Sequence, residues 1–110
     1  LENSNTHHDR DLLLRIANGD EKAFAQFVAL YADRLYTFIF RITNNLGESE
    51  ELVQDIFIQL WQTRETLPAV QNPGAFLYVL SKNRASNALK RLINERNKQA
   101  RWQIQDLRST

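Results

Sequence analysis

The sequence predicts an all-α domain, a compact bundle of about four helices. Three observations carry that prediction. Apolar residues recur at steps of three and four along most of the chain, which is the helical period. No segment alternates apolar and polar residues, so strands have no support. The few glycines and prolines fall between the periodic stretches, where they punctuate rather than interrupt.

Taken in order, residues 1–9 are polar and are expected to be disordered. Asp11 to Ala17 reads as a short helix stopped by Asn18-Gly19. Asp20 is placed to cap a second helix. Its apolar positions, Phe24, Phe27, Val28, Tyr31, Leu35, Phe38, Ile39 and Ile42, form one long stripe, and Asn44-Asn45-Leu46-Gly47 breaks it. Ser49 is expected to cap a third helix from Glu50 to about Thr63. Leu67-Pro68 through Asn72-Pro73-Gly74 reads as a turn-rich loop. Pro73 suits the first turn of a fourth helix, which is expected to run to about Asn97. The helical domain is thus expected over residues 10–96, with 97–110 starting an interdomain linker or a frayed helix.

Composition narrows the function. The 110 residues are 43% hydrophobic and 25% charged, which suits one soluble domain with a core. No apolar run approaches the roughly 18 residues that a span needs, so no membrane insertion is expected. The chain has no cysteine, which excludes disulfides and thiol catalysis. His7 and His8 sit side by side in the polar start, which argues against a histidine general base and a transition-metal site. No glycine-rich nucleotide loop and no paired Glu-x-x-His sequence occurs. Neither enzymatic activity nor a cofactor is expected. The chain opens on Leu1 and contains no methionine, so it is expected to be a piece of a longer protein.

The net charge of +1 conceals a dipole. Between Asn45 and Glu65 five acids oppose Arg64 alone, a net of −4. Between Ser81 and Arg101 seven bases oppose Glu95 alone, a net of +6. Such a division points to two different partners.

On the third helix Leu52, Val53, Ile56, Phe57 and Leu60 share the core-facing side. The other side carries Glu51, Gln54, Asp55, Gln59 and Gln62, with Ile58 and Trp61 among them. An apolar pair framed by acids and amides fits a protein hot spot that selects a basic partner. Internal packing of the same pair is the alternative. On the fourth helix Ala85, Ala88, Leu89 and Leu92 face inward, and Asn83, Asn87, Lys90 and Asn94 form a stripe opposite, flanked by Arg84 and Arg91. Cations neutralise phosphates and asparagine amides hydrogen-bond base edges, so this mixture suits nucleic acid. Upstream, Phe76 and Tyr78 have the chemistry to stack on bases, but Phe76 is expected rather to be a core aromatic that begins the helix.

Three motifs resemble a known family. Asn18-Gly19-Asp20-Glu21-Lys22-Ala23-Phe24, with Val28 and Tyr31, resembles the opening of region 2 in extracytoplasmic-function (ECF) sigma factors of RNA polymerase. Glu51-Leu52-Val53-Gln54-Asp55-Ile56-Phe57 resembles their region 2.2. Phe76-Leu77-Tyr78-Val79-Leu80-Ser81-Lys82-Asn83-Arg84 resembles the segment that follows. The match covers roughly residues 10 to 95, with the motifs in order and suitably spaced.

The resemblance implies a cytoplasmic transcription initiation domain without catalysis of its own. It implies that Glu51, Gln54, Asp55, Ile58, Trp61 and Gln62 dock on the clamp helices of the polymerase β′ subunit. It also implies that the domain recognises and melts the promoter −10 element, with Asn72, Phe76, Asn83, Arg84, Asn87, Lys90 and Arg91 engaging the non-template strand. There one base flips into a pocket built largely by the loop, here Glu65 to Pro73. Flipping costs a few kcal/mol, which pocket hydrogen bonds and phosphate contacts must offset. An anti-sigma factor is an expected second partner. Two departures stand out. Phe76-Leu77 occupies the place of the paired tryptophans with which housekeeping sigma factors wedge the duplex, and Leu67 to Asn72 follows no pattern that names a base. The family's second domain, which reads the −35 element, is absent, so weak DNA binding by this piece alone is expected. The competing reading is a helical protein-interaction module with no DNA role.

Overall fold

The structure, a computed structural model, describes residues 2–109. It contains four α-helices: α1 (Glu2–Ala17), α2 (Glu21–Thr43), α3 (Leu46–Gln62) and α4 (Pro73–Ser109). A 3-10 turn, Arg64–Ala69, joins α3 to the loop before α4. The all-helical architecture is the expected one, and no strand occurs among the described residues. The central helix is α2, which packs on both α3 and α4, while α1 lies against α2 and the 3-10 turn. None of the described helices is long and apolar enough to cross a membrane.

The core follows the predicted stripes. Phe27, Tyr31, Leu35 and Ile39 of α2 meet Val53, Ile56, Phe57 and Leu60 of α3 and Leu77 and Ala85 of α4. Leu12, Leu13 and Ile16 of α1 close one side. Each fully enclosed leucine or isoleucine contributes about 1.5–3 kcal/mol. Ser81, also buried, gives α4 a small side chain between Leu77 and Ala85.

The α1–α2 junction is built as expected. The Asp20 backbone N–H donates to the Arg15 carbonyl and the Gly19 N–H to the Ile16 carbonyl. This paired closure needs a left-handed residue, and Gly19 takes it at φ +88°. Asp20 then caps α2, its Oδ1 accepting from the Ala23 N–H at 3.1 Å. That hydrogen bond, assisted by Arg15, holds the Asp20 carboxyl below its ordinary range.

Three boundaries differ from the sequence expectation. Within the segment 1–9, expected to be disordered, the chain is already helical from Glu2, so α1 has 16 residues. Asp9 is buried there, and the Tyr31 hydroxyl of α2 donates to its carboxylate. A tertiary hydrogen bond, not an apolar period, holds this turn, and a polar sequence gives no hint of it. Second, Ser49 is not the cap of α3. Asn45 caps it, accepting from the Glu48 N–H at 2.9 Å. Ser49 lies one turn inside and is fully buried; its hydroxyl donates back to the Asn45 carbonyl and sits 2.9 Å from the Thr43 hydroxyl. Third, α4 runs unbroken past Asn97 to Ser109, 37 residues in all. No glycine or proline interrupts it after Gly74. Its last part extends beyond the bundle, which gives the molecule a long axis of 64 Å against 28 and 20 Å.

Candidate polymerase-docking and nucleic-acid faces

The residues singled out in the sequence divide into two faces on adjacent helices. On α3, Glu51, Gln54, Asp55, Ile58 and Gln62 are all exposed. Ile58 is 54% exposed in the middle of this polar face. The 100° step of the helix puts these side chains opposite Val53, Ile56 and Leu60, so core formation itself presents them to solvent.

Trp61 differs. It is half-buried and packs against the core. Its ring lies 5.1 Å from the Phe24 ring of α2. The Arg64 guanidinium covers it at 4.6 Å from the ring centroid, and Arg64 Nη1 donates to the Trp61 carbonyl at 2.9 Å. Internal packing, one of the two readings left open for Trp61, therefore accounts for much of its surface. Ile58 is the freer apolar group. Arg64 was not singled out in the sequence; its spacing three residues after the tryptophan was the available signal.

On α4, Asn83, Asn87 and Lys90 are exposed along one stripe, with Arg84 half-buried on its flank. Phe76, 39% exposed, continues the stripe towards the loop, so it is not a core aromatic. Val79, 55% exposed, lies between Phe76 and Asn83 on the same side. The sequence reading missed Val79, though the steps 76, 79, 83, 87 and 90 already align them. Tyr78 lies on another side of the helix, its ring 4.8 Å from Phe38 of α2.

Two of the expected DNA-contacting residues have internal partners. Asn72 precedes α4 and caps it: its Oδ1 accepts from the Ala75 N–H at 3.1 Å. Arg91 forms an ion pair with Glu48 of α3, and its other nitrogen lies 3.8 Å from Glu95. The loop expected to hold a flipped base is partly ordered by its own side chains. Leu67 is buried under α1, and the Thr66 hydroxyl donates to the Thr63 carbonyl at 2.8 Å. Among the described residues no cluster of three metal-ligating side chains occurs.

Comparison with known proteins shows the family. The family model described as Sigma-70 region 2 matches residues 27–94, more than half of the chain. The chain belongs to the sigma-70 region 2 family. The region 2 domain is 35% identical over 75 residues to the ECF RNA polymerase sigma factor SigK of Mycobacterium ulcerans, an alignment covering 67% of this chain and 40% of that protein. It is 37% identical over 79 residues to SigK of Mycobacterium sp. (strain KMS), covering 70% of this chain and 41% of the relative. The chain thus spans about 40% of the length of the curated relatives it matches. Its fold is similar to the NMR structure of an engineered region 2 of sigmaE in complex with GTAAAA. That likeness has a TM-score of 0.62 at 27% identity, covering 74% of this chain and 84% of the other. As the sequence resemblance implies, these relatives are ECF sigma factors, and sigma factors are not enzymes.

Proposed function

We propose that this region 2 domain docks on the β′ clamp helices of RNA polymerase core and recognises the melted −10 element of a promoter. The observation that carries the reading is the segregation of two chemically opposite faces on neighbouring helices. The α3 face is acidic with an exposed isoleucine at its centre. It suits a basic helical partner, with the acids selecting it and Ile58 supplying desolvation. The α4 face is cationic and amide-rich. It suits a single strand, with Lys90 and Arg84 on phosphates and Asn83 and Asn87 on base edges. The similar sigmaE region 2, solved in complex with GTAAAA, supports a nucleic-acid partner for this domain. Phe76 and Val79 extend the face with apolar surface on which a base can rest. An anti-sigma factor that covers both faces is a fitting second partner, and the compartment of action is the cytoplasm.

The test pairs two variants. Asp55→Arg should abolish retention of bacterial core polymerase by the domain and leave binding of single-stranded GTAAAA unchanged. Asn83→Ala should weaken the oligonucleotide and leave polymerase retention intact. Loss of both activities in either variant, with the fold intact by circular dichroism, would refute the division of labour. Polymerase retention with no DNA binding at low salt would favour an interaction module instead.

A further inference from the structure

Arg91 and Lys90 are chain neighbours on the basic helix, but their electrostatic situations are opposite. Among the described residues Lys90 has no ion-pair partner, whereas Arg91 has two carboxylates. The nearer one, Glu48, belongs to a different helix, 43 positions earlier. Its side chain is only 14% exposed, while that of Arg91 is 52% exposed. Glu48 is itself well anchored, since its backbone N–H donates to the Asn45 cap. The more mobile partner by exposure is therefore the arginine. Arg91 lies one turn beyond Asn87, within reach of any strand that follows the Asn83–Asn87 stripe. A guanidinium donates to a carboxylate and to a phosphate through the same N–H geometry, so the two compete for it.

We propose that Glu48 acts as an internal stand-in for a DNA phosphate, holding Arg91 out of the nucleic-acid face and setting the strength of strand binding. This rests on the DNA-binding reading of α4. Glu48 is a positioning residue in this scheme: it touches no nucleotide and acts through Arg91. Single-strand binding then draws on Lys90 at once, but gains Arg91 only by exchanging a carboxylate for a phosphate. The exchange is nearly balanced, so Arg91 adds little in the wild-type protein.

The experiment measures binding of fluorescein-labelled GTAAAA across a salt series for four proteins: wild type, Glu48→Gln, Arg91→Ala, and the double variant. Glu48→Gln should bind tighter by roughly two- to fivefold, the range that an exposed ion pair represents. Its log K against log salt should steepen by about 0.7, the increment of one further cation on a single strand. The double variant should lose the whole gain and bind like Arg91→Ala. The slope is a readout that a merely structural tie would not move. A gain that persists in the double variant reflects removal of a negative charge in general and overturns the proposal. Unchanged affinity and slope in Glu48→Gln overturn it as well, while wild-type binding still supports the DNA reading. If neither wild type nor Glu48→Gln binds the strand while both melt cooperatively, the DNA reading and this inference fall together.

Discussion

The Tyr31 hydroxyl donates to the Asp9 carboxylate, and this buried contact ties the first turns of α1 to the middle of α2. Burial, and then the adjacent carboxylate, push the Tyr31 phenol well above its ordinary value of 10.0. Tyr31→Phe should cost about 1–3 kcal/mol, because the buried carboxylate loses its donor. Chemical denaturation monitored by far-UV circular dichroism checks it; an unchanged midpoint would mean that α1 is held by its leucines alone.

The same contact dictates an alkaline limit. The unfolded phenol ionises near its ordinary value of 10.0, whereas the folded one stays protonated beyond it. The unfolded state thus binds fewer protons above that point, so stability is full below about pH 10 and declines as pH rises further. Thermal midpoints measured from pH 8 to 11 should fall more steeply for wild type than for Tyr31→Phe.

Ile58 and Trp61 share the α3 face by angle but not by environment. Ile58→Glu should leave the melting temperature nearly unchanged and eliminate polymerase retention, since the side chain is exposed. Trp61→Ala should cost about 2 kcal/mol, less than a fully enclosed aromatic, because it removes the ring packed on Phe24. Equal melting temperatures for the two variants would contradict the half-buried placement of Trp61.

Asn72 offers a separation of capping from recognition. Asn72→Ala should lose about 1 kcal/mol through the start of α4. Asn72→Ser restores a neutral capping oxygen and should recover that stability. If Ser also restores oligonucleotide affinity, Asn72 serves DNA only by ordering the helix; if affinity stays low, its amide meets the strand directly.

Lys90→Ala should weaken every single strand by a similar factor and flatten the salt slope by about 0.7. Asn83→Ala should instead act unevenly across sequences, because amides discriminate base edges. Oligonucleotides differing at one base at a time, titrated at two salt concentrations, separate the two behaviours.

Much of this molecule is legible from its residues because helical burial leaves a period. The α2 stripe from Phe27 to Ile39 and the opposed faces of α3 both follow from 100° steps. The Asn83–Lys90 stripe is legible for the same reason. Contacts that join distant segments leave no such mark. Nothing near Asp9 announces Tyr31, and nothing near Arg91 announces Glu48. Ser49 shows a different failure. Ser49 and Asn45 are both capping residue types one turn apart, and the choice falls to the one whose side chain stays outside the buried turn. Trp61 was undecided because its angle lies at the border between the core and solvent, where only the positions of Phe24 and Arg64 settle the matter.

The unbroken α4 has a mechanical consequence. Asn83 and Arg101 ride on the same rod, eighteen residues apart, so the 1.5 Å rise separates them by about 27 Å. With no hinge between them, that distance works as a ruler. The amides and cations of the rod stand at intervals set by backbone hydrogen bonds. A proline introduced near Ile93 would bend the ruler and move Arg101 off its mark, while the Asn83 end keeps its place in the bundle.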